Sequence, residues 1–159
     1  MNLKFAMLAV ATFTFTAINF SYGQTSTAAA EPTFDSELAK MVGADDYGMK
    51  NYVLVVLRTG PSKMPAGKER DEMFKGHFAN MNRLAAERKL VLAGPFDGVD
   101  GWRGLFIFAA ADIDEAKKYV ATDPVIINGE MVAEYHKYYG SAALMLVNDA
   151  HKKVMKKSF

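Results

Sequence analysis

The order of the regular segments constrains this chain more than any other feature of its sequence. Between residues 52 and 139 the sequence predicts strand, helix, strand, strand, helix and strand in succession. Short β-branched and apolar runs that end at Gly or Pro indicate the strands, and apolar residues three or four apart indicate the helices. The predicted ranges are strands at 52–57, 90–93, 102–110 and 130–139, and helices at 69–89 and from 112 onward.

This order, βαββαβ, predicts an α+β fold in which a four-stranded antiparallel sheet carries two helices on one of its faces. Such an architecture is ferredoxin-like. A chain of 159 residues, 50% of them hydrophobic, is long enough for one domain of this kind with a core of its own. We place the domain at residues 49–140.

Both faces of the predicted sheet are apolar. Residues 52, 54 and 56 of the first strand point to one face and residues 53, 55 and 57 to the other, and all six are Tyr, Val or Leu. Two helices cover only one face, and monomers rarely leave the other open to water. We therefore expect a homodimer that pairs the free faces; the alternative cover is the C-terminal segment, through Leu144, Met145 and Leu146.

The ends of the chain predict an exported protein. Residues 1–24 combine Lys4, an uncharged run at 5–20 and small residues before a cleavage site that we place after Gly23. An uncleaved anchor is the alternative; after cleavage we expect no membrane association, and a periplasmic or secreted protein. Residues 24–48 are predicted to be a mostly mobile linker with one short helix within 34–42, and residues 141–159 a basic tail.

Charge and composition exclude several classes of function. The chain has 19 basic and 18 acidic residues and no Cys, so it lacks thiolate sites and the excess charge that attracts nucleic acid. The run from Arg103 to Phe108 is superficially like an RNA-recognition strand, but Leu105 and Ile107 stand at the base-stacking positions. The three histidines show no metal-binding spacing. We expect no nucleic-acid partner, no metal and no cofactor.

Two residues stand out as candidates for chemistry. His77 borders the apolar stripe of the first helix, where it is either a core histidine bonded to the backbone or a general acid/base. Asp123 precedes Pro124, a pairing typical of a helix N-cap, and it was the one carboxylate whose context predicted a fixed position. An N-cap carboxylate can also orient an imidazole. His136 is predicted at a strand surface or interface and His151 in solvent.

Four motifs in order resemble the YciI-like (YCII-related) proteins. They are the helix segment around His77, a strand that ends in Gly94-Pro95, Glu115-Ala116, and Thr122-Asp123-Pro124. The resemblance implies a dimeric α+β barrel of ferredoxin-like subunits and a pocket whose His–Asp pair falls on His77 and Asp123. One branch resembles dehydrochlorinases of hydroxylated chloroaromatics, and relatives of the fold include muconolactone isomerases. The resemblance therefore implies proton transfer on a small molecule.

Three functions follow as hypotheses. The first is a cofactor-free lyase or isomerase in which His77 moves a proton, Asp123 orients it, and Gly94 and Pro95 contribute to substrate binding, with backbone N–H groups near Gly94 facing an oxyanion. The second is a non-catalytic module that binds a small ligand in the same pocket. The third is a haem-using or oxygen-using relative, for which His136 is the candidate axial ligand.

Overall fold

The computed structural model describes residues 33–157, and its elements follow the predicted order with short additions at both ends. Two 3₁₀ turns, Val99–Gly101 and Ala142–Leu146, accompany the longer elements. The helices are α1 (Ser36–Val42), α2 (Lys68–Ala86), α3 (Ile113–Val120), α4 (Pro124–Ile127) and α5 (Val147–Val154), and the strands are β1 (Met49–Thr59), β2 (Leu90–Pro95), β3 (Trp102–Phe108) and β4 (Met131–Ser141).

The four strands form one antiparallel sheet in the order β2-β3-β1-β4, which confirms the predicted α+β architecture. β1 pairs with β3 on one side and with β4 on the other, so the first and last strands of the domain lie side by side. β1 and β4 run further than predicted because they pair without interruption from Met49 opposite Ser141 to Thr59 opposite Met131. The helix predicted at 69–89, α2, ends earlier than predicted because Arg88 takes a left-handed φ of 58° and turns the chain into β2.

The helix-covered face of the sheet holds the main core. Val53, Val55 and Leu57 of β1 and the rings of Phe106 and Phe108 of β3 pack there against the helices. The residues from α2, α3 and α4 that close this core are Met73, Leu84, Ala116, Val120 and Val125. The structure therefore confirms that residues 53, 55 and 57 of β1 point to one face of the sheet, as predicted.

The other face of the sheet is partly covered by the C-terminal segment of the chain. Tyr52, Val91 and Ile107 are buried on this face, and Leu144 and Met145 from the 3₁₀ turn pack against them. The sequence allowed either a second copy of the chain or the C-terminal segment to cover this face, and the single chain shows the C-terminal segment there. The start of the predicted basic tail, residues 142–148, is thus packed, since apolar side chains hold it on the sheet, whereas residues 149–154 are exposed.

The segment before β1 is also structured where it is described. Asp35 caps α1 by accepting a hydrogen bond from the Leu38 N–H, and Gly43 ends it in a left-handed conformation. Val42 is buried, while the Asp45 carboxylate holds the turn into β1 by accepting from the N–H groups of residues 47 and 49. This part of the predicted linker is a helix and a turn; its remainder and the predicted export signal lie outside the described residues.

No helix within residues 33–157 is long and apolar enough to cross a bilayer.

Replacing Leu144 and Met145 together by Ala should lower the free energy of unfolding by about 2–4 kcal/mol, since large-to-small changes at packed apolar sites cost about that much. Urea unfolding measures the difference. Val154→Ala, at the exposed end of α5, is the control and should change stability by no more than about 0.5 kcal/mol. A double variant as stable as this control would show that the segment does not pack on the sheet in solution.

Candidate active site

His77 lies on the sheet-facing side of α2 and is only 7% exposed. Its ring stacks on Phe106 of β3 with 6.0 Å between centroids, and the ring of Phe74 meets it edge-on at 6.1 Å. Phe78, the next residue in the chain, has its ring centroid 5.4 Å from that of His77. The imidazole therefore occupies an aromatic enclosure between helix and sheet, as expected for a residue that borders the apolar stripe of α2.

Asp123 is the N-cap of α4 and is 1% exposed. Its Oδ1 accepts a hydrogen bond of 3.1 Å from the Val125 N–H, and Pro124 occupies the first helical position, where no N–H is needed. The structural role that the sequence predicted for this residue is therefore present. The cap fixes the carboxylate in one orientation, with its remaining acceptor capacity turned toward α2.

The structure brings the two predicted residues together. His77 Nδ1 lies 2.9 Å from Oδ1 and 2.8 Å from Oδ2 of Asp123. An ionised carboxylate only accepts hydrogen bonds, so Nδ1 must be the nitrogen that carries the proton. In the neutral imidazole Nε2 then holds the free lone pair. Nε2 has no hydrogen-bond partner among the described residues and keeps some contact with solvent.

A close approach between α2 and α4 makes this pairing possible. A Cβ on Gly76 would lie 3.0 Å from Pro124 Cγ, so the absence of a side chain at residue 76 lets the two elements touch. A polar network fastens them nearby: the Arg83 guanidinium donates to Asn80 Oδ1 (2.8 Å) and to Thr122 Oγ1 (3.2 Å). Asn80 is three residues from His77 and Thr122 precedes Asp123, so this network holds both partners.

Gly94 and Pro95 lie at the end of β2, opposite Leu105 and Gly104 of β3. Their neighbour Ala93 is paired with Phe106, the residue that stacks on His77. The structure thus places them one and two residues along the strand from Ala93, which adjoins the aromatic enclosure. No hydrogen bond joins either of them to His77 or Asp123 within the described residues.

The other two histidines are remote from the pair. His136 is exposed on the free face of the sheet, opposite Leu54, and His151 is exposed on α5. No group of three or more metal-binding side chains gathers anywhere in residues 33–157.

Sequence reasoning missed a second buried carboxylate, that of Glu130, which is 1% exposed. Its Oε2 accepts from the Met64 N–H at 2.8 Å, and its Oε1 accepts from the Arg70 guanidinium at 2.7 Å. Burial by itself raises the pKa of this carboxyl, but these hydrogen bonds, with the charges of Arg70 and Arg103, outweigh burial and hold the pKa below its usual value. The sequence analysis singled out Asp123 as the one carboxylate in a fixed position, but Glu130 is fixed as well.

The Glu130–Arg70 pair carries no local signal that could have revealed it. Its members are 60 residues apart, and neither belongs to a recognisable motif. The available hint was a Glu at the first position of the strand predicted at 130–139, directly after Gly129, where a charged side chain is close to the core by position alone.

With this geometry in hand, comparison with known proteins identifies the family. The model of the YCII-related domain matches residues 51–136, more than half of the chain. This chain belongs to the YCII-related family. The matched range contains both His77 and Asp123, and it leaves out α1 and the C-terminal segment, which are additions to the family's domain.

Two individual proteins are similar to this YCII-related chain. "Uncharacterized protein YjpA" of Bacillus subtilis (strain 168) is 30% identical over 81 residues, which cover 51% of this chain and 85% of that protein. Among solved structures, 5-chloro-2-hydroxyhydroquinone dehydrochlorinase (TftG) from Burkholderia phenoliruptrix AC1100, in complex with 2,5-dihydroxybenzoquinone, matches 54% of this chain and 92% of its own at 21% identity and a TM-score of 0.40. The family assignment rests on the match to the domain model and on the similarity to YjpA, and not on this structure.

Asp123→Asn should reverse the proton arrangement of His77. An amide NH₂ facing Nδ1 donates to it, so the imidazole proton moves to Nε2 and the outward nitrogen loses its lone pair for proton abstraction. Nitrogen NMR of the His77 side chain reports which ring nitrogen is protonated. Asp114→Asn, an exposed change on α3, is the control and should leave the His77 signals unchanged; an unchanged pattern in Asp123→Asn would contradict the hydrogen bond.

Proposed function

We propose that this YCII-related protein is a cofactor-free lyase or isomerase that moves a proton on a small molecule, with aromatic compounds as the favoured class. The observation that carries the proposal is the buried His77–Asp123 pair, at 2.8 Å, whose outer nitrogen has no partner in the described part of the chain. A histidine oriented by a carboxylate is a common arrangement of general acid/base catalysis.

In the proposed reaction His77 Nε2 takes a proton from a substrate carbon, and Asp123 stabilises the imidazolium through Nδ1–H. The electron pair of the broken C–H bond forms a new double bond. In a lyase the bond from the neighbouring carbon to the leaving group breaks as the double bond forms, the leaving group departs as an anion, and the imidazolium gives its proton to that anion or to solvent. In an isomerase an existing double bond shifts instead, and the carbon at its far end takes the proton back from the imidazolium. Both balance without a cofactor, since the imidazole takes up one proton and releases one proton.

The aromatic enclosure favours a flat, apolar substrate. The rings of Phe74, Phe78 and Phe106 surround His77, and aromatic rings pack on one another edge-on or offset. Phe74 and Phe78 also line an open groove of about 470 Å³ along α2. A groove of this size is within the range of small-molecule sites.

Gly94 is the proposed contact for the developing oxyanion. β2 is an edge strand, so part of its backbone has no neighbouring strand to bond. Gly94 is paired with Leu105 of the free face, so it is the edge of its backbone, and not the side of its missing Cβ, that a substrate oxygen near His77 would approach. Pro95 would line the same end of the strand.

We also propose that the active form is a homodimer joined through the part of the free sheet face that the C-terminal segment leaves open. Trp102, Val132 and Tyr138 are exposed on this face although they are large and apolar. Tyr138 and Val132 belong to β4, far from the strand β2 that the C-terminal segment contacts. A second copy would bury this remaining patch.

His77→Gln should lower turnover of a responsive substrate by about 10²–10⁴-fold, the usual contribution of a general acid or base. Chlorinated and hydroxylated aromatics, screened by thermal shift, supply the candidate substrates. Gln preserves a donor toward Asp123, so folding is maintained, and His151→Ala, on exposed α5, should leave turnover unchanged. Binding in wild type and variant alike with no turnover in either would instead identify a non-catalytic binding module.

The homodimer predicts a sedimentation mass of two chains at micromolar concentration. Val132→Lys should shift the protein to single chains, because it places a charge in the proposed interface. Val99→Lys, in the exposed turn before β3, is the matched control and should not change the mass. A wild-type protein that sediments as one chain would contradict the interface.

A further inference from the structure

Arg70 lies on the same face of α2 as His77 and close to the proposed active site. The residues Arg70, Phe74 and His77 are spaced by four and three along the helix, so they form one continuous row. The function proposed above uses His77 and Phe74 but gives no role to Arg70.

The guanidinium of Arg70 is held in place from one side only. Its Nη2 donates to Glu130 Oε1 at 2.7 Å, and Glu130 is itself fixed by the Met64 N–H at 2.8 Å. A buried carboxylate with two donors is a rigid anchor. It sets the position of the guanidinium while it uses one of the five N–H groups that an arginine carries.

Phe74 connects the guanidinium to the imidazole. The guanidinium lies over the Phe74 ring, with 4.7 Å from Cζ to the centroid, and the same ring meets His77 edge-on at 6.1 Å. Along the helix, seven residues separate the two Cα atoms by about 10 Å. One aromatic ring with an acidic substituent, together with its two hydrogen bonds, can bridge this gap.

Arg70 has hydrogen-bonding capacity that the described residues do not use. Its Nε is the one buried side-chain nitrogen or oxygen without a partner in the described part of the chain. Its Nη1 also lacks a partner within residues 33–157 but, unlike Nε, keeps contact with solvent. A donor left without an acceptor in a protected position destabilises the protein, and an arriving acceptor can recover that loss.

The charges around the buried Glu130 carboxylate favour an anion. Glu130 contributes one negative charge, and Arg70 and Arg103 both act on it, as the lowered pKa of its carboxyl reflects. These three groups together carry one positive charge, whereas the acidic residues of the first turn of α2, Glu69 and Asp71, are exposed and screened by solvent. Arginine is suited to planar oxyanions such as carboxylates because its N–H groups form a fixed fork.

We propose that Arg70 binds an anionic oxygen of the substrate, a carboxylate or a phenolate, and holds the adjoining aromatic ring beside Phe74 within reach of His77 Nε2. This inference rests on the proposed function and adds the substrate class: aromatic acids in place of neutral aromatics. Arg70 would be a binding residue, and it takes no part in the proton transfer itself.

Binding of benzoate, with benzamide as its neutral counterpart, tests the proposal without requiring turnover. Wild-type protein should bind benzoate about tenfold or more tightly than benzamide, since hydrogen bonds to charged groups are worth at least that factor. Chemical shifts of the Arg70 and His77 side-chain nitrogens should move during the benzoate titration, which locates the ligand.

Three variants make the result specific. Arg70→Gln alone strands a buried Glu130, so the main variant is the double change Arg70→Gln with Glu130→Gln, which keeps a neutral hydrogen-bonded pair; it should lose the preference for benzoate. Glu130→Gln alone keeps the guanidinium and should keep that preference, and Lys117→Gln, which removes an exposed positive charge on α3, should behave as wild type.

Equal affinity for the two ligands, no benzoate binding at millimolar concentration, or a double variant that binds benzoate like wild type would each overturn the role of Arg70. These outcomes are separate from those for the proposed function. Turnover lost in His77→Gln together with unchanged benzoate binding in the double variant would leave the proton-transfer proposal standing and remove only the anion site.

Discussion

The carboxylate of Asp123 is buried between α2 and α4, and a buried carboxylate is tolerated only where hydrogen-bond donors surround it. Two donors are supplied here, the N–H of Val125 from its own helix and Nδ1–H of His77 from α2. The first starts α4 and the second ties α4 to α2. Removing the histidine would leave a charge without its main partner, so packing and proposed chemistry depend on the same contact.

Much of this arrangement follows from the sequence. Periodicity alone gave the order of strands and helices, and the Asp-Pro pair gave the N-cap at Asp123 because a capping side chain interacts only with its own turn. His77 was placed on the sheet-facing side of α2 by its spacing from apolar neighbours. The contact between the two residues came from the family resemblance, because the residues are 46 positions apart and spacing carries no information across that distance.

What the sequence could not predict depends on packing between distant segments. The Glu130–Arg70 pair joins the start of β4 to the start of α2, and no local pattern distinguishes it from exposed charges. For the same reason the sequence could not decide whether a second chain or the C-terminal segment covers the free face of the sheet. Leu144 and Met145 are apolar enough for either solution, and only the path of the chain after β4 brings them over Tyr52.

The two buried carboxylates have different roles at the interface between the helices and the sheet. Asp123 orients the imidazole, whereas Glu130 fixes the β1–α2 connection and presents a guanidinium beside the same aromatic row. Leu144 and Met145 of the C-terminal segment lie outside the matched range and bury part of the sheet's other face, away from the two carboxylates.

The central claim is that His77 presents a locked inner nitrogen and an open outer one. Neutron diffraction of the wild-type protein tests it directly, because it locates hydrogen positions that X-ray data at ordinary resolution do not show. The account predicts a proton on Nδ1, pointing at the Asp123 carboxylate, and no protein acceptor or donor at Nε2. An imidazole turned away from Asp123, or an Nε2 bonded to the protein, would contradict it.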